Sequence, residues 1–168
     1  QLLAPMIIGG MLSSCKDENK ETTGNDNTNA KWVIEKADEK SDNGKLFVTL
    51  PEGTTCDVTI YVAGSDTIIS NTLMQQNFPL PPGSYDMEIN HVKVTGVPAE
   101  KGNNTRLKAG VLRISKAKPW TLYDGVKENV LINSLTSGSW GLPVGKYVLT
   151  MLDEDHAIEI KDGKTVKY

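Results

Sequence analysis

Cys15 is the residue whose neighbours set it up most clearly for chemistry. It follows an almost wholly apolar stretch, Leu2 to Leu12, and two small residues, Ser13 and Ser14; Lys16, Asp17 and Glu18 come directly after it. A thiol is the one strong nucleophile among ordinary side chains, and small neighbours leave the backbone before it open to a processing enzyme. The apolar stretch is far shorter than the roughly 20 residues needed to cross a bilayer. Residues 1–14 therefore read as the remnant of a signal peptide.

The other reactive groups are scattered. Asp153-Glu154-Asp155-His156 packs three acids before a histidine, but it lacks the Asp-x-Asp-x-Asp-Gly layout that wraps oxygens around calcium. It lies between two strand-like runs and reads as a solvated hairpin turn. His91 stands alone at the corresponding earlier bend, and no Cys-x-x-Cys or His-Glu-x-x-His spacing occurs, so neither metal nor cofactor is expected. No Gly-x-Ser-x-Gly elbow places a nucleophile, and no catalytic residue is assigned. A carboxylate pair for glycoside hydrolysis would be assembled by folding, which spacing does not report. Cys56, next to Val58 and Ile60, reads as a small strand residue. The indoles of Trp32, Trp120 and Trp140 could stack on a sugar ring.

These groups must be positioned by short strands. Thr, Val, Gly and Pro punctuate the chain at close intervals, which predicts an all-β fold. The net charge of -3 and the lack of a basic stripe argue against a nucleic-acid partner. Residues 15–30 carry no large apolar side chain after Cys15 and read as a disordered tether. From Lys31 the sequence repeats itself. GKLFVTL from Gly44 matches GVLRISK from Gly110, and VTIYVAG from Val58 matches WTLYDGV from Trp120. LPPGSYDMEI from Leu80 returns as LPVGKYVLTM from Leu142, and AEKGNNTRL from Ala99 as EIKDGKTVK from Glu159. The blocks predict two modules, residues 31–108 and 109–168. In Leu-Pro-x-Gly-x-Tyr, proline presets a turn, glycine is expected to supply a positive φ, and tyrosine opens the next strand and ties its hydroxyl to nearby backbone. Trp120 falls at the place of Val58, and Trp140 at that of Phe78, which suggests core positions for both.

Leu12-Ser13-Ser14-Cys15 resembles the lipobox of bacterial lipoproteins, and Lys16-Asp17-Glu18 resembles the surface-export signal of Bacteroidetes lipoproteins. The resemblance implies an acylated Cys15, an outer-membrane anchor and display at the cell surface. Asp66-Thr67-Ile68 resembles the Bacteroidetes O-glycosylation sequon, which makes Thr67 a modification candidate. The strands that follow the Leu-Pro-x-Gly-x-Tyr turns resemble transthyretin-like and PEGA-like modules, although only Pro51-Glu52-Gly53 of the latter's phrase is present. That resemblance implies two tandem small Greek-key β-sandwich modules. The function expected is a non-catalytic envelope binding or interaction module, with glycan capture in a polysaccharide-uptake system or a hydrolase accessory role as alternatives. Its partners would be the membrane, through the lipid, and an envelope protein or polysaccharide.

Overall fold

The computed structural model describes residues 30–37, 40–73 and 78–168. Cys15, Lys16, Asp17 and Glu18 lie outside the described residues, as do the signal-peptide segment and nearly all of the tether. The first half of the described chain holds β1 (Trp32–Lys36), β2 (Gly44–Val48), a 3-10 turn at Pro51–Gly53, β3 (Asp57–Val62), β4 (Ile68–Leu73), β5 (Phe78–Leu80), β6 (Gly83–Ile89), β7 (Val92–Ala99) and β8 (Asn103–Leu107). The second half holds β9 (Ala109–Ile114), β10 (Trp120–Asp124), β11 (Val130–Ser134), β12 (Gly138–Pro143), β13 (Gly145–Met151), β14 (Glu154–Ile160) and β15 (Thr165–Lys167). The matched blocks occupy equivalent strands: β2 answers to β9, β3 to β10, β6 to β13 and β8 to β15.

The fold is all-β, but the expectation of two tandem Greek-key sandwich modules is corrected. The strands sort into four small sheets, a four-bladed, propeller-like arrangement. Their strand orders are β1-β8-β2-β5, β4-β3-β6-β7, β12-β9-β15 and β11-β10-β13-β14. Matched sequence blocks say that strand types recur; they carry no information on which sheet each strand joins. β1 has no counterpart in the second half, so the sheets are unequal.

Alternation explains the core. Leu46 and Val48, Val58 and Ile60, and Met87 and Ile89 point inward at two-residue spacing and join one buried cluster. Leu112, Ile114, Trp120, Leu122 and Leu149 belong to a second. The clusters borrow across the halves: Ala109 of β9 is buried in the first, and Val92 of β7 packs on the second. At the crossing, Lys108 donates its N–H to the Lys31 carbonyl, and its own carbonyl accepts from Val144 N–H. Leu107 before it and Ala109 after it are fully buried.

Both tyrosine hydroxyls make the expected turn bond. Tyr85 donates to the Pro81 carbonyl at 2.7 Å and Tyr147 to the Pro143 carbonyl at 2.8 Å. The glycines of those turns behave differently from expectation: Gly83 does not adopt a positive φ, and Gly145, at 159°, is close to extended backbone. Left-handed residues close the following hairpins instead. Asn90 and His91 (φ 44° and 65°) join β6 to β7, and Leu152 and Asp153 (φ 53° and 63°) join β13 to β14. Positive φ at both central residues is the geometry that matches the twist of a two-residue hairpin.

Candidate functional site

β4 and β11 are equivalent strands, and among the described residues each forms the outer edge of its sheet. Their sequences, IISNTL and VLINS, contain no Lys, Arg, Asp, Glu or Pro, the residues that ordinarily blunt an exposed edge. A bulge sits in the same place in both. The register with the neighbouring strand shifts between Ile60 and Tyr61 and again between Leu122 and Tyr123, which leaves Ile69 and Leu131 as the extra residues. An extra residue throws the alternation out of phase. Ile68 and Val130, just outside the two bulges, are accordingly each 58% exposed. Val62 and Ile69 extend the first apolar edge; Val126 and Leu135, at 72% and 67% exposure, extend the second. The sequence reading missed these residues because alternation alone would turn Val130 inward with Ile132.

Loops beside the two edges are fixed by charge. Lys93 reaches Asp66 at 3.0 Å and lies 3.9 Å from the centre of the Tyr61 ring; the Asp66 carboxylate holds its ammonium above the usual lysine range. In the second half Lys127 pairs with Asp155 and lies over Tyr123. Asp124 accepts from Glu128 N–H, Asn129 N–H and the Asn129 amide. These bonds, the Asn129 side chain first, hold its carboxyl below the ordinary range. Between the halves an open cleft of about 310 Å³ is lined by Lys31, Val92, Asp124, Leu131, Lys146 and Tyr147, among others. Its acid is thus already engaged by its own loop, and burial pushes the Tyr147 hydroxyl up. Burial, with the Asp57 charge second, also pushes the Cys56 thiol up to about 11, away from the thiolate form that reacts.

The sequence candidates divide between the halves. Trp120 is buried and donates its indole N–H to the Thr136 carbonyl at 2.9 Å. Trp140, half-buried, meets it edge to face with ring centres 4.6 Å apart. Trp32 is half-buried on the other cluster, so the three indoles do not converge. Thr67 is exposed in the turn between β3 and β4, where its N–H is held by Ser65 Oγ. Asp153 lies in the turn of its hairpin, Glu154 to His156 open β14, and the His156 ring lies 5.5 Å from that of Tyr168. Among the described residues no group of three His, Cys, Asp or Glu side chains is placed to hold a metal.

Among the described residues two ion pairs cross between the halves, Arg113 with Glu52 and Arg106 with Asp162. Arg106 of β8 donates two bonds of 2.8 Å to the two carboxylate oxygens of Asp162, which also accepts from Ala109 N–H. The Arg106 bonds hold the Asp162 carboxyl below its ordinary range. A depressed folded-state value stabilises the fold above the unfolded carboxylate range, about 3.9, and that contribution is lost as pH falls through the depressed value. Urea unfolding midpoints measured from pH 6 down to pH 2 should therefore fall at the acid end. Arg106→Met should lower the neutral-pH stability by about 1 kcal/mol, allowing for partial solvent screening, and flatten that acid limb. An unchanged limb in the variant would remove Asp162 as its source.

No protein-family model matches the chain, and no curated protein matches it. A solved structure of the Bacillus anthracis TIE protein is similar over 75% of this chain and 33% of that one, at 18% identity and a TM-score of 0.32. The chain thus spans about a third of that protein's structure, and superposition of that degree does not define a shared fold. Among the described residues no helix is long and apolar enough to cross a membrane.

Proposed function

We propose that this chain is an outer-membrane lipoprotein of Bacteroidetes type, anchored through acylated Cys15, exported to the cell surface under Lys16-Asp17-Glu18, and acting as a non-catalytic interaction module for an envelope protein. The observation that carries the interaction reading is the pair of equivalent, uncharged, apolar edges at β4 and β11. Among the described residues no strand lies beyond β4 or β11, and a sheet edge that carries apolar side chains such as Ile68 and Val130 can take up another polypeptide by strand addition. The anchor rests on the order of apolar core, small residues, cysteine and polar tether. One thioether-linked diacylglycerol with a further acyl chain suffices for stable anchoring. Glycan capture would use an exposed indole; Trp120 is buried, and Trp32 and Trp140 are engaged against the two cores, so a protein partner is preferred. Thr67 retains the exposure that a glycan would require.

Two measurements in the native host test this reading. Cys15→Ala should move the protein from the membrane fraction to the soluble one and remove the acyl mass. A photo-crosslinking residue at position 68 or 130 should give one discrete adduct on intact cells, and one at exposed Asp42, in the loop between β1 and β2, should give none. Adducts at all three positions, or at none, would defeat the edge as the contact surface.

A further inference from the structure

Building on the interaction reading, we propose that the outer side of β15 is a receiving lane for an extended strand of a partner polypeptide, running antiparallel to β15, with apolar side chains two residues apart followed by an acid. The two halves supply the argument. β8 lies between β2 and β1, whereas its equivalent β15 has β9 on one side and, among the described residues, no strand on the other. Among the described residues, nothing in the second half takes the place that β1 fills in the first.

Burial records the difference. Strand pairing shifts the sequence match by one residue, since Thr105 lies beside Leu46 as Val166 lies beside Leu112; Thr105 and Leu107 of β8 are both 0% exposed under β1, whereas Val166 is half-buried and Tyr168 is 38% exposed. The backbone is oriented to match. Tyr168 donates its N–H to the Arg113 carbonyl and accepts from Ser115 N–H, and the Lys164 carbonyl accepts from Val111 N–H, so residues 164 and 168 face β9. Alternation then turns the N–H and C=O of Thr165 and Lys167 toward the open side. Asn104 and Arg106, their equivalents, are paired with Glu35 and Val33 of β1 in the same way.

The register of β1 specifies the chemistry of the guest. Trp32 pairs with Leu107, Ile34 with Thr105 and Glu35 with Asn104. Transferred to β15, an aromatic or apolar residue meets Tyr168, a second apolar residue meets Val166, and the acid falls at Thr165, on the same face as Lys167. The Glu35 charge acts on Arg106 in the first half as this acid would act on Lys167, which takes the place of Arg106. The chain's own tether does not fit: residues 16–30 contain no large apolar side chain.

The test uses the full-length, isotope-labelled protein and a synthetic peptide of the β1 sequence, Lys31–Ala37, in excess. Hydrogen exchange at the Thr165 and Lys167 amides should slow at least about tenfold, since edge amides exchange freely until paired. The same peptide with its tryptophan and isoleucine replaced by serine should leave them unchanged. Lys167→Pro, which removes an outward N–H, and Tyr168→Ser, which removes the apolar contact, should each abolish the effect; exchange elsewhere in the chain reports whether each variant is folded. Unchanged exchange at Thr165 and Lys167 would overturn the lane. Protection at β4 or β11 instead would overturn it too, while leaving the proposed interaction function in place. Loss of crosslinking at positions 68 and 130 with protection at β15 intact would count against the edge reading alone. A dimer of the chain by itself, abolished by Tyr168→Ser, would put a second copy in the lane and overturn a foreign partner.

Discussion

Gly110→Ala should lower the stability of the protein by about 3 kcal/mol, the upper end of what overpacking a tight site costs. A Cβ at Gly110 would stand 2.5 Å from the Lys161 carbonyl oxygen and 2.6 Å from that of Lys164. Both are backbone atoms of the turn between β14 and β15, so no side chain can rotate away. Gly44, the equivalent residue of the first half, meets the same obstacle: its Cβ would stand 2.6 Å from Glu100 N and 2.7 Å from Glu100 O. Gly44→Ala should cost a similar amount. The control is Gly64→Ala, where nothing lies within 4 Å and only the left-handed φ of 70° resists a side chain; about 1 kcal/mol is expected there. Urea unfolding of the three variants decides the matter. A Gly110→Ala protein as stable as Gly64→Ala would show that the turn yields.

Asp86→Ala should cost about as much by a different route. Asp86 is 2% exposed. One carboxylate oxygen accepts from Gly64 N–H in the turn between β3 and β4, and the other from Gly96 N–H in the bulge of β7, both at 3.0 Å. Bonds of this kind to a charged group contribute about 1.5–3 kcal/mol each, and their loss strands two donors. A total of about 3 kcal/mol is expected, with Asp86→Asn, which keeps one acceptor, losing about half. The second half makes the comparison sharp. Val148 stands where Asp86 would, and the corresponding turn is held from within by Asp124. Asp124→Ala should therefore free only its own loop, seen as faster hydrogen exchange confined to residues 125–129. A global loss as large as that of Asp86→Ala would contradict this division.

Much of this was legible in the residues. Two-residue alternation and turn residues indicated an all-β chain, and the recurring Leu-Pro-x-Gly-x-Tyr phrase located two turns whose tyrosine hydroxyls bond as their position suggests. The repeated Gly44 and Gly110 were visible as a match. Their cause was not, because it lies in a turn more than fifty residues away that crosses each of them. The partition into four sheets was equally hidden: it depends on pairings such as β2 with β8, whose partners are distant in sequence. The apolar edges escaped for a local reason. One extra residue in each hairpin, Ile69 and Leu131, reverses the face that alternation predicts, and a bulge leaves no composition of its own to read.

The crossing at Lys108 has a mechanical consequence. One residue separates two buried neighbours, and its amide and carbonyl are already engaged on opposite sides, so the chain has no pivot there. Bending the halves against each other would break those bonds together with the Arg106 to Asp162 bridge. The described residues therefore resist bending between their halves, and the two clusters keep a fixed orientation to each other.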